Sequence, residues 1–142
     1  MIGIDANVLI ACELTIHPQH RAVHLLLDGE VKQGESFALC PQVLSEFIHI
    51  VTDSKRLSDP LTMPEALQQA ELWSSASDVS MLLPGSQALN LFYRWMNVHD
   101  LGRKRVLDTL MAATYASGGV TKLATLNPKD FEVFGTFELV AV

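Results

Sequence analysis

Three carboxylates in well-separated segments are the residues of this chain whose type and setting could do chemistry. They are Asp5 in "MIGIDANVLIA", Glu46 in "CPQVLSEFIHIVTD" and Asp108 in "GRKRVLDTLMAATYASGG". Asp5 interrupts an apolar run, with Asn7 two positions on. A carboxylate left unpaired against a core is costly, so it belongs at a sheet edge or beside a partner, often a cation. In the second segment Val43, Leu44, Phe47, Ile48 and Val51 form an apolar helical stripe, and Gln42, Ser45, Glu46, His49 and Asp53 lie opposite. Taken alone, Glu46 reads equally as a solvated helix residue. Asp108 sits beside a stripe of Leu107, Leu110, Met111 and Thr114, and a first-turn Asp also suits the positive end of a helix dipole, so a structural role stays open for it. Brought together, the three acids are hard oxygen donors with no Cys or clear His among them, which suits Mg²⁺ or Mn²⁺ better than zinc. Like charges so close need a metal ion or proton uptake to neutralise them, and such ions can activate water and stabilise charge on a phosphodiester.

These residues need elements that bring them together. Short apolar runs at 2–6, 36–40, 79–83, 121–126 and 137–142 read as strands, and 19–33, 41–53, 63–77, 86–99 and 104–117 as helices. Pro41 and Pro64 suit first helical positions, and Gly118-Gly119 a helix stop. Strands that alternate with helices and are apolar throughout predict a three-layer α/β/α domain over 1–142 with a mainly parallel five-stranded sheet. In such sheets ligands bind beyond the C-terminal strand ends. Asp5 and Asn7 lie at the end of the first strand, Pro41 to Glu46 follow the second, and Asn127 follows "TKLATL".

With 142 residues, 49% of them hydrophobic, the chain can bury one sizeable core. Its apolar runs are too short for a bilayer span and its start lacks a basic leader, so a soluble, unexported, cytoplasmic protein is expected. Cys12 and Cys40 fit neither a disulfide framework nor a zinc spacing and read as buried thiols. A formal charge of −6 excludes nucleic-acid binding by a bulk positive field; a polyanion would need a metal ion or a local basic patch. Arg103, Lys104 and Arg105 are such a patch, placed where a helix dipole disfavours cations; they read either as a phosphate contact or as a solvated loop. His20 and His24 stand one turn apart without the Glu of a zincin helix, and with His17 they read as a solvent-facing helix start. Trp73, Phe92, Tyr93 and Trp95 read as core or dimer contacts rather than base-stacking residues.

Four segments in order, "IDANVLI", "PQVLSEF", "RKRVLDTLMAATY" and "LATLNPKDF", resemble the PIN-domain ribonucleases, in particular the VapC-type toxins of bacterial toxin–antitoxin pairs. The resemblance spans nearly the whole chain. It implies a five-stranded parallel sheet, a Mg²⁺- or Mn²⁺-dependent endoribonuclease site acting on RNA, a homodimer, and inhibition by an antitoxin protein. Asp5, Glu46 and Asp108 match the family's first three acidic positions and would be the catalytic metal ligands. Asn7 matches the residue expected to orient the first acid. The family's fourth acid falls here on Asn127, with Asp130 three residues later. If "TKLATLN" is a strand, Thr125 and Asn127 share a face, which puts Asn127 in the crevice and leaves Asp130 in a supporting place beyond the turn at Pro128.

Two other functions fit part of the pattern. In a haloacid-dehalogenase-like phosphatase, Asp5 would be the nucleophile and the residue two further on the acid/base, but Asn7 stands there and no later acidic pair follows. A catalytically silent PIN-like module would bind RNA or protein without cleaving; the three acids count against it and Asn127 keeps it open.

Overall fold

The computed structural model describes residues 1–140 and 142. In chain order, β1 (Ile2–Ile4) leads directly into α1 (Ala6–Glu13), followed by α2 (His20–Lys32), β2 (Phe37–Leu39), α3 (Pro41–Val51) and α4 (Met63–Ser75). Then come β3 (Val79–Met81), α5 (Ser86–Val98), α6 (Val106–Ser117), β4 (Lys122–Ala124) and β5 (Glu138–Val140). Short 3-10 turns occupy Arg103–Arg105, Pro128–Asp130 and Glu132–Phe134. The five strands form one sheet in the order β3-β2-β1-β4-β5, every pair parallel. This is the expected α/β architecture. Each strand is shorter than its apolar run, and the part of the expected last strand at position 141 lies outside the described residues.

The strand order reverses at β1. From there the chain winds outward through β2 and β3, then returns to lay β4 on the other side of β1. Right-handed crossovers put the helices of these two excursions on opposite faces of the sheet. Accordingly α1 packs with α2 and α3, and α3 with α4, whereas α5 packs with α6.

The sequence pattern does not show α1. Ala6, Val8, Leu9, Ile10, Ala11 and Cys12 are all buried, so Asn7 and Glu13 alone are too few to set a 3.6-residue period, and an apolar run cannot be told from a strand by periodicity. The last carbonyls of α1 also give two of the histidines a role the sequence does not show. His20 Nδ1 lies 2.9 Å from the Ala11 carbonyl oxygen and His24 Nε2 lies 2.9 Å from that of Cys12. The pair therefore satisfies acceptors that the helix end leaves open, and the two rings meet edge to face with centroids 4.5 Å apart. The start of α2 still faces solvent as expected, with His24 exposed and His17 and His20 half-buried.

Helix α6 is the other central element. Thr109 and the run Met111–Tyr115 are buried. The Tyr115 hydroxyl donates to the Ile4 carbonyl at 2.7 Å, and its ring lies on Gly3, where a Cβ would come within 2.8 Å of Tyr115 Cδ2. Only glycine permits that approach. Of the stripe expected along α6, Leu107 is the exception: it is 67% exposed. Helix α6 stops where expected, with Gly119 in the left-handed region at φ 83°. Trp95 is buried and stacks on Phe134 with centroids 4.5 Å apart, a core contact as read from the sequence.

Candidate active site

The parallel topology explains why the three acids meet. A helix that follows a strand starts at the strand's C-terminal end. A helix that precedes a parallel strand runs antiparallel to the strands, so its first turn lies at the same end. Asp5 follows β1, Glu46 lies one turn into α3 after β2, and Asp108 is in the first turn of α6, ahead of β4. All three thus lie at the C-terminal edge, around the point where the strand order reverses.

Asp5 is the N-cap residue of α1, yet its side chain makes no capping hydrogen bond. It is 6% exposed, and its Oδ2 accepts a 2.6 Å hydrogen bond from Thr125 Oγ1. Thr125 follows β4 and is held from two sides. The Asn127 backbone N–H donates to its oxygen at 3.0 Å, and Asn7 Nδ2 donates at 3.5 Å. With both lone-pair directions engaged, its single proton is directed at Asp5. Asn7 Oδ1 also accepts from the Leu126 backbone N–H at 3.1 Å, so Asn7 ties the start of α1 to the segment after β4.

Burial pushes the Asp5 carboxyl up from 3.8 to about 6, against the stabilising hydrogen bond from Thr125; repulsion from Asp108 and then Glu46 adds to the rise. The Glu46 carboxyl is raised by desolvation and by Asp108, with Arg56 and His49 pulling it down. Asp108 is raised by desolvation, lowered by Arg105 and raised by Asp130. The three carboxylates therefore sense one another's charge across the edge. Helices α3 and α6 enclose a crevice of ≈ 470 Å³ there, lined by Gln42, Glu46, His49, Arg56, Leu107 and Asp108 among others. Another cavity of ≈ 420 Å³, between α1, α2 and α4, contains none of these acids and is not the site.

Among the described residues no three His, Cys, Asp or Glu side chains form a ready-made metal cage. The donor set still fits Mg²⁺ or Mn²⁺: the groups are hard oxygens, and Mg²⁺ keeps several waters while taking one or two carboxylates directly. The raised carboxyl at Asp5 fits too, since a cation would restore its charge.

The residues of the basic turn separate. Arg103 and Lys104 are exposed. Arg105 is half-buried, its guanidinium donates to the Asp130 carbonyl, and its Nε is buried with no hydrogen-bond partner among the described residues. It is therefore not part of a solvated loop. It links the start of α6 to the Pro128–Asp130 turn beside Asp108. The alternation argument for Asn127 has no strand to run along, because β4 ends at Ala124; Asn127 is exposed, while Asp130 is half-buried and its charge reaches Asp108.

Sequence reasoning missed Thr125 as the partner of Asp5. The signal available was a hydroxyl residue just past an apolar strand, near the first acid only once β4 is paired with β1. It also missed Gln42, whose Nε2 donates to Thr114 Oγ1 at 3.4 Å and whose Oε1 is buried with no partner among the described residues. One turn before Glu46, its place in the sequence is simply the polar face of the helix.

The sheet and site define a fold class, and solved structures share it. VapBC2 from Rickettsia felis, bound to a DNA fragment from its promoter, matches with TM-score 0.72 at 18% identity over 100% of this chain and 99% of that one. VapC20 of Mycobacterium tuberculosis, described as a sarcin–ricin loop cleaving toxin, matches with TM-score 0.68 at 15% identity over 87% of each chain. No family model matches the chain. In sequence it is similar to ribonuclease VapC24 of Mycobacterium tuberculosis, 27% identical over 135 residues that cover 95% of this chain and 92% of the relative. The resemblance to PIN-domain, VapC-type ribonucleases is thus borne out.

Proposed function

We propose that the chain is a Mg²⁺- or Mn²⁺-dependent endoribonuclease, the toxin of a toxin–antitoxin pair. The observation that carries this reading is the setting of Asp5: a buried carboxylate at the reversal of strand order, with its carboxyl raised to about 6 and under repulsion from Asp108 and Glu46. Such a cluster is destabilising in itself, so burying Asp5 beside the half-buried Asp108 and the exposed Glu46 makes sense as a site for cations. Similarity to a ribonuclease over 95% of the chain supports RNA as substrate, and the VapBC complexes of the same fold support an antitoxin partner. Homodimeric assembly and a cytoplasmic place belong to the same proposal.

Asp5, Glu46 and Asp108 would hold the ion, which when bound supplies Lewis acidity to water and to a phosphate oxygen. Thr125 fixes one oxygen of Asp5, leaving the other without a side-chain hydrogen bond among the described residues, and Asn7 and the Asn127 backbone fix Thr125. Arg105 holds the Pro128–Asp130 turn against the start of α6, and Asp130 joins Asn127 as a candidate fourth site residue. Asn7 engages both amide ends with the segment after β4, an orienting role that counts against its serving as the acid/base of a phosphatase.

The test is hydrolysis by purified protein of single-stranded RNA and of a small phosphomonoester, each with Mg²⁺, Mn²⁺ or EDTA. Internal cleavage of RNA with either ion and none in EDTA is expected. Preference for the monoester would support the phosphatase, and no turnover of either substrate would support a silent binding module.

A further inference from the structure

We propose that Arg56 and His49 form a subsite for a backbone phosphate of single-stranded RNA at the mouth of the crevice between α3 and α6. The inference rests on the ribonuclease reading and names where that substrate is gripped. The chain carries a formal charge of −6, and the crevice wall includes Glu46 and Asp108, so a polyanion approaching it is repelled unless positive charge stands nearby. Of the described residues lining the crevice, Arg56 is the one permanent cation, and His49 lines it too. Both line the same crevice as Glu46 and Asp108, which places them beside the acidic centre.

The sequence gives Arg56 the look of a solvated loop residue, in "TDSKRLSDP". The structure gives it a fixed seat. Asp53 organises the turn after α3: its Oδ1 accepts from the Lys55 backbone N–H at 2.9 Å, and its carbonyl accepts from the N–H groups of Arg56 at 3.1 Å and Leu57 at 3.0 Å. The turn folds Arg56 back beside the helix face that carries His49. Its side chain meets Asp53 only loosely, Nε to Oδ2 at 3.4 Å, and stays 60% exposed. An exposed contact of this kind is weak and is readily exchanged for a phosphate, which a guanidinium can grip with two parallel hydrogen bonds. Across the crevice, Leu107 is 67% exposed and offers apolar surface to a base or ribose of the same strand. Phosphate on one wall, sugar and base on the other, and carboxylates between them is a geometry that fits a single strand; a duplex would hold its bases away from Leu107.

The experiment is a salt titration of the binding of a fluorescently labelled single-stranded RNA to the full chain in EDTA, read by anisotropy. Arg56→Gln is expected to weaken binding about tenfold at low salt and to lower the slope of log K against log salt by about 0.7, the loss of one single-strand phosphate contact. His49→Gln should weaken binding less, Arg56→Lys should keep the wild-type slope, and Arg21→Gln on exposed α2 should leave both quantities unchanged. Wild-type affinity and slope in Arg56→Gln would overturn the subsite, as would an equal loss in Arg21→Gln, which would mark a diffuse field. If the wild-type chain neither binds RNA in EDTA nor cleaves it with Mg²⁺ or Mn²⁺, the ribonuclease reading itself fails, and the subsite with it.

Discussion

Replacing Asp5 by Asn should make the metal-free protein more stable at neutral pH, although it removes a residue at the centre of the site. Asp5 is 6% exposed, and burial with two neighbouring acids moves its carboxyl from 3.8 to about 6. A raised carboxyl means that the folded chain holds its proton more tightly than the unfolded one. The stability that comes from this is present below pH 3.8 and is lost as pH rises through about 6. At pH 7 the ionised group therefore costs the fold on the order of 3 kcal/mol relative to its neutral form. Asn keeps the shape and an oxygen for Thr125 but brings an amide that needs its own acceptor, which offsets part of the gain. A net gain of about 2 kcal/mol, or roughly 5 °C in Tm, is expected at pH 7 in EDTA, shrinking towards zero near pH 4. Thermal unfolding of both proteins across that range reads it. If Asp5→Asn is less stable at pH 7, or its advantage does not change with pH, the electrostatic account of Asp5 is wrong.

Gly3→Ala should lower stability by about 1–3 kcal/mol in denaturant unfolding, because the new Cβ meets the Tyr115 ring at 2.8 Å. Tyr115→Phe should cost about 1–2 kcal/mol through the donor lost to Ile4; an unchanged midpoint would mean that another group satisfies that carbonyl. Asp130→Asn should weaken Mg²⁺ binding, by calorimetry, more than Asn127→Ala, since the charge at 130 reaches Asp108; the reverse order would restore Asn127 as the fourth site residue.

Much of this site was legible because its residues break local rules. Asp5 is an acid in an apolar run, and strand-and-helix alternation is enough to send it, with Glu46 and Asp108, to one edge of a parallel sheet. The helix starting at Ala6 was not legible, since six of its eight residues are buried and Asn7 and Glu13 alone are too few to mark its period. The place of Thr125 depends on β4 lying beside β1, a pairing between residues about 120 positions apart, which no local pattern encodes. Arg105 and Arg56 both stand outside the apolar helical stripes of the sequence. Only packing distinguishes the first, held against the Asp130 carbonyl, from the second, exposed at the crevice mouth.

The central claim, that Asp5 and Asp108 with Glu46 form a cation-dependent centre for RNA cleavage, is tested most directly by assaying RNA cleavage with Mg²⁺ or Mn²⁺ for the wild-type chain, Asp5→Asn and Asp108→Asn. Circular dichroism run in parallel shows whether each variant is folded. Cleavage by the wild type, with at least a hundredfold loss in each folded variant, is the predicted result; a loss of that size is about 2.7 kcal/mol in the barrier. Wild-type cleavage by either folded variant would contradict the account.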